Sequence, residues 1–144
     1  MYLTNNDRFN ANVYLDSSIF SVQEYLLNVN DIKTRQIITQ LRMNHSILKS
    51  SFMQKKKDND VLCKCKQSPE SVEHFLLNCN QYKQEREILY KELKNIYPIF
   101  HHLSQIKQIS TLLSMKGHNN KYRHEIQSVI VTFIKNIYHK RCRM

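Results

Sequence analysis

The sequence predicts an all-α fold, a small helical domain organised around a cysteine–histidine knuckle with an irregular N-terminal lead-in. Three observations lead there. One Gly and two Pro in 144 residues leave too few tight turns for a sandwich or barrel. Apolar residues recur at helical spacing in segment after segment. Three of the four cysteines and a histidine crowd into one short stretch, VLCKCKQSPESVEHFLLNC, between Val61 and Cys79. The expected division is residues 1–53 as lead-in and helices, 54–97 as the knuckle and 98–144 as C-terminal helices, together one compact unit. A chain of this length can bury a modest hydrophobic core.

The first sixteen residues are rich in Asn and Asp and are expected to be irregular. Ser17 or Ser18 is placed to cap a short helix to about Asn28, with Val22, Tyr25 and Leu26 facing inward. Asn30 or Asp31 is placed to cap the next helix. Ile38, Leu41, His45, Leu48 and Phe52 share one helical face between residues 32 and 53, and Met43-Asn44 is the point where that helix could break. KKKDND, at 55–60, is a polar loop. Ser68-Pro69-Glu70 has the order of a helix start, with Ser at the cap, Pro at the first position and an acid in the first turn. The next helix carries Tyr82, Leu89, Leu93 and Ile96 on one face and Glu87 four before Lys91, and Pro98 ends it. Leu103, Ile106 and Leu113 suggest a further helix that stops before Gly117. The last helix runs from about Lys121 to Arg141. At about 100° per residue its Tyr122, Ile126, Val129, Ile130, Phe133 and Ile137 form one apolar stripe.

A formal charge of +10 points to an acidic partner, with nucleic acid the commonest. The candidate phosphate contacts are Lys55, Lys56, Lys57, Lys64, Lys66, Lys135, Lys140, Arg141 and Arg143. A plain solvated surface accounts equally for such lysines. The N-terminus has no basic region followed by an apolar run, and no stretch approaches the about 20 apolar residues of a membrane span. The expectation is an intracellular, nuclear or cytoplasmic chain that is not secreted and has no membrane partner. In a reducing compartment, clustered cysteines more often bind metal than pair with one another.

The cluster spaces Cys63, Cys65, His74 and Cys79 by gaps of one, eight and four residues. Three thiols and an imidazole match a structural Zn(II) site. In an extended segment residues i and i+2 point to the same side, so Cys63 and Cys65 can converge on one ion. His74 and Cys79 are five apart, which on a continuous α-helix separates them by about 140°. They converge only if the helix ends near Asn78 and Cys79 swings back. A disulfide leaves His74 without a role, and inert thiols leave the close Cys63–Cys65 spacing without a reason. Four protein ligands close the shell, so no position remains for a catalytic water. His118, His124, His139 and Cys142 match no second ligand pattern, and the single Gly leaves no phosphate-cradling loop.

The stretch from Leu41 to Glu87, LRMNHSILKSSFMQKKKDNDVLCKCKQSPESVEHFLLNCNQYKQERE, resembles the C-terminal region of non-LTR (LINE-type, jockey-like) retrotransposon reverse transcriptases. That family has a Leu-Arg-small-Gly-His element, then a helix and a polar loop, then a Cys-Cys-His-Cys motif ending in EHFLLxC. Leu41, Arg42 and His45 match the first element, where Met43 and Asn44 depart from it. Cys63, Cys65, His74 and Cys79 match the second one by one, and Asn80 stands where the family often has Pro. The resemblance is firm over about a third of the chain and extends more loosely through STLLSMKGHNN and IVTFIKNIYHKR. It implies a zinc-binding module downstream of polymerase and, in some members, ribonuclease H domains. Such a module is thought to help engage RNA or DNA during target-primed reverse transcription. Residues 1–53 would then follow a ribonuclease H-like domain, and the parent polymerase body becomes a second expected partner. The chain has no Tyr/Phe-x-Asp-Asp signature and no recognisable set of four ribonuclease H acids. The expectation is a non-enzymatic tail. The alternatives are a structural or protein-interaction module, or a decayed retroelement fragment without present function.

Overall fold

Asp31 starts the first described helix, α1 (Ile32–Arg42), because its carboxylate satisfies donors that the first turn leaves open. One oxygen accepts from the Lys33 N–H at 3.2 Å and the other from the Thr34 hydroxyl at 2.5 Å. The computed structural model describes residues 29–51, 61–114 and 122–143. The expected lead-in, the expected helix from Ser17 or Ser18 to Asn28, Phe52, and the 55–60 loop with Lys55, Lys56 and Lys57 lie outside the described residues. So do Gly117 and Lys121.

The chain is all-α, and among the described residues it forms no strand. Helix α1 does not run to residue 53. It stops at Met43, and Asn44 takes a left-handed backbone with φ 52°. The His45 N–H then bonds the Gln40 carbonyl at 2.9 Å and the Asn44 N–H bonds the Leu41 carbonyl at 3.2 Å. This is a Schellman ending, and Asn bears it better than most residues with a Cβ. The break turns His45 out to solvent, whereas helical spacing placed it inward. Leu48 still reaches the core, but from the turn that follows. Arg42 is buried at the end of α1 and donates to the Leu113 carbonyl at 3.0 Å.

The expected helix start at Ser68-Pro69-Glu70 lies three residues too early. Pro69 pairs with Leu62 in an isolated antiparallel bridge, and the Glu70 N–H reaches the Val61 carbonyl at 2.7 Å. Ser71 is the cap, its hydroxyl accepting from the His74 N–H at 3.1 Å. The helical turn that begins at Val72 widens into a π turn at His74–Asn78. A short 3₁₀ segment, Asn80–Tyr82, leads into α2 (Lys83–Ile96). Glu87 of α2 lies 4.0 Å from Lys83, a solvent-exposed pair. Pro98 closes α2 as expected by opening a 3₁₀ turn, Pro98–His102. Ser104 then caps α3 (Gln105–Ser114) through the Lys107 N–H.

The last helix, α4 (Arg123–Arg143), buries Ile126, Ile130, Phe133, Ile134 and Ile137, so the expected stripe faces inward. It packs chiefly on α2 and also meets α1, while α3 leans on α1 and on the π turn. Leu41, Leu76, Leu93, Phe100, Leu112 and Ile130 are each sealed from solvent in one continuous core.

One ion pair ties three non-adjacent stretches to this core. The Arg141 guanidinium grips Glu70 with two hydrogen bonds, of 2.7 and 3.0 Å. The Glu70 carboxylate also accepts the Lys49 N–H at 2.9 Å, and its carbonyl accepts the Ser50 N–H at 3.1 Å. Removing one member of a buried pair strands the other charge. Glu70→Gln is therefore expected to lower unfolding stability by about 3 kcal/mol, measured by urea denaturation with metal present. An unchanged midpoint would show that the latch contributes nothing.

Candidate metal centre

The two halves of the knuckle are shaped by different backbone devices. In the first, the Cys63 N–H bonds the Ser68 carbonyl at 3.0 Å and the Lys66 N–H returns to the Cys63 carbonyl at 2.8 Å. Lys66 closes that turn with φ 65°, a conformation uncommon for a residue with a side chain. The turn lifts both cysteine side chains to one side and leaves Lys64 and Lys66 exposed.

In the second half, the Cys79 N–H bonds the His74 carbonyl at 2.8 Å, spanning five residues. A π turn is defined by this i→i+5 bond. It stacks residue i+5 over residue i, where an α-helix would separate them widely. Cys79 then leaves the helix with extended backbone, φ −68° and ψ 127°. The expected swing-back is therefore real, and the widened turn before it accomplishes most of the convergence.

The four side chains meet. One ligand atom from each of Cys63, Cys65, His74 and Cys79 lies within 4.8 Å of every other, so the set could hold a metal ion. The Cys63 and Cys79 sulfurs are 3.8 Å apart. Two thiolates on a tetrahedral ion with bonds of about 2.3 Å sit about 3.8 Å apart. The Cys65 sulfur lies 3.2 Å from His74 Nε2, somewhat inside the about 3.6 Å edge of such a site. His74 Nδ1 faces the Ser68 hydroxyl at 2.7 Å. A metal on Nε2 would leave the ring proton on Nδ1, where it would be donated to the Ser68 hydroxyl. An outer hydrogen bond of this kind is how ligating histidines are oriented. Ser68, which the sequence places at a helix cap, instead lies against the histidine ring.

Burial governs the acid–base character of the ligands. It lowers His74 below its ordinary value, with the Glu70 charge opposing and the Arg86 charge assisting, so the ring is neutral near pH 7. Burial pushes the Cys79 thiol up to about 12, with charge on Cys63 adding to it. Cys63 is raised by burial as well. Burial also acts upward on Cys65, but hydrogen bonds involving the Gln67 backbone, Cys63 and Cys79 outweigh it, and this thiol lies below its ordinary value. Without a cation the buried thiols therefore hold their protons.

A charged residue that the sequence reading passed over borders the cluster. Arg86 is buried on α2, and its guanidinium donates to the Cys79 carbonyl. It falls on the stripe of Tyr82, Leu89 and Leu93, where spacing alone assigns an apolar residue. That mismatch was the available signal.

The basic candidates differ in contacts and exposure. Arg141 is locked on Glu70, Lys140 lies 3.1 Å from Glu85, and Lys135 lies 3.7 Å from Asp31. Arg143, Lys64 and Lys66 are exposed. No helix among the described residues is long and apolar enough to cross a membrane. Compared with family models, with curated proteins and with solved structures, the chain matches none.

Thiols must ionise to take a metal, whereas His74 is already neutral. Metal uptake at pH 7 is thus expected to release about two to three protons. Those protons sit on the metal-free form, so affinity rises with pH and falls on acidification. Calorimetric titration in buffers of different ionisation enthalpy measures the number. Release of none would contradict thiolate ligation.

Proposed function

We propose that this chain is a non-catalytic zinc module of the kind found at the C-terminal end of non-LTR retrotransposon reverse transcriptases, assisting RNA or DNA binding. The observation that carries the reading is the convergence of Cys63, Cys65, His74 and Cys79. Three soft thiolates and an imidazole suit Zn(II) better than hard cations, which prefer oxygen. Zinc here supplies a structural cross-link, joining the 63–65 turn to the π turn and thereby to α2.

Two features beyond the ligands agree with the retroelement resemblance. Asn44 adopts positive φ at the position where those sequences carry Gly. Leu41 and Arg42, from the same element, are both buried, and Arg42 ties the end of α1 to the end of α3. Those residues thus have structural reasons to occur together.

For nucleic acid, the knuckle is the favoured surface. Lys64 and Lys66 flank the ligand Cys65 on a turn whose shape zinc would hold. On α4, Lys135 and Lys140 form partly exposed ion pairs that phosphate can displace at little cost. Arg141 cannot be spared in this way, because Glu70 would be left buried and alone. Docking on a polymerase body through the apolar stripe of α4 is disfavoured, since that stripe is already buried within the chain.

Zinc and nucleic acid are tested separately. Cys65→Ser is expected to lose zinc and to melt the central region, read by metal content and thermal unfolding. Retention of both would exclude the zinc centre. A fluorescent single-stranded RNA or DNA oligonucleotide is expected to bind, with affinity falling steeply between about 50 and 200 mM salt. Lys64→Ala combined with Lys66→Ala should reduce the slope of log affinity against log salt by about 1.4. Absence of binding at low salt would rule out the nucleic-acid role.

A further inference from the structure

We infer that Arg86 is the resident counter-charge of the metal–thiolate centre, a positioning residue whose buried cation belongs to the loaded state. The inference rests on the zinc reading above and goes beyond it, because nothing in the ligand spacing requires a cation on α2.

Arg86 is only 6% exposed, and one of its terminal nitrogens, Nη1, has no hydrogen-bond partner. The other donates to the carbonyl of Cys79, a ligand residue. A buried guanidinium held by one carbonyl is costly unless an anion lies near. The adjacent Glu85 forms no hydrogen bond with it. Glu85 spends one oxygen on Lys140 and leaves the other buried and unpartnered. Neighbours in sequence do not face each other on a helix.

The centre provides the missing anion. A divalent ion on three thiolates and a neutral imidazole carries about one negative charge. Charge on Tyr90, Cys79 and Glu85 opposes the lowering that burial imposes on Arg86. With metal bound, the two charges offset each other inside a medium of low dielectric. Arg86 thereby favours the thiolate-rich, loaded state and makes the metal-free state less stable.

The test uses the full chain as wild type, Arg86→Met and Arg86→Lys. Zinc affinity is measured by competition with a chromogenic chelator, and urea unfolding is followed in zinc and in EDTA. Wild type is expected to bind zinc. Failure there would overturn the zinc reading itself, before any variant is compared. Arg86→Met is expected to bind zinc about 10- to 100-fold more weakly, with Arg86→Lys closer to wild type than to Arg86→Met. Arg86→Met should also narrow the stability gap between the zinc and EDTA series. Equal destabilisation in both series with unchanged zinc affinity would reduce Arg86 to a packing residue and overturn the proposal. If Arg86→Met does not fold, Arg86→Lys decides. An affinity within about tenfold of wild type supports the charge role, and a greater loss overturns it.

Discussion

The buried carboxylate of Glu70 holds together parts of the chain that no helix connects. It receives two hydrogen bonds from Arg141 in α4 and one from the backbone after α1, and its own peptide group bonds Val61 and Ser50. The knuckle therefore does not hang from the helices by its two ends alone. Its position between the two cysteine-bearing turns is pinned to the first and last described helices. That matters because Cys63 and Cys65 come from a turn with little apolar mass of its own. A turn such as 63–68 cannot bury enough surface to fix its shape, so its geometry must be imposed by hydrogen bonds, by ions, or by both.

The same constraint changes how the chain's net charge is read. A surplus of ten positive charges suggests a basic surface. Yet two of the arginines, Arg86 and Arg141, point into the protein beside thiols and a buried carboxylate. Lys140 and Lys135 are drawn towards Glu85 and Asp31. Cations that sequence counting assigns to a phosphate-binding stripe are in part structural. What remains exposed near the candidate centre is concentrated on the 64–66 turn.

Much of this was legible in the sequence, and the failures have identifiable causes. The all-α character followed from scarce glycine and proline and from apolar spacing. The stripe of α4, the end of α2 at Pro98 and the cap at Asp31 followed from local rules that the folded chain obeys. The clustering of Cys63, Cys65, His74 and Cys79 followed from residue type and spacing. His45 was misplaced because periodicity continues formally through a helix break, and a left-handed Asn44 removes everything downstream from that register. Ser68-Pro69-Glu70 misled because its residues suit a helix start, whereas long-range bonds from Val61 and Arg141 claim them first. Arg86 could be seen as a charge on an apolar stripe, but its partner is the main-chain carbonyl of Cys79, seven residues earlier, which side-chain periodicity does not register.

The π turn explains why the four-residue gap between His74 and Cys79 is workable at all. An α-helical continuation would aim Cys79 away from His74, and an early helix end would expose Phe75, Leu76 and Leu77, which the core requires. One added residue in the turn meets both demands, keeping the apolar side chains inward while bringing Cys79 round to the histidine. Phe75 also meets Tyr82 edge to face, with ring centres 5.0 Å apart, so the chain beyond Cys79 is braced against the same turn. Lengthening or shortening the gap by one residue would preserve either the core face or the ligand convergence, but not both. The spacing is thus a compromise between packing and the convergence of the two side chains, which is why it carries more information than the cysteines alone.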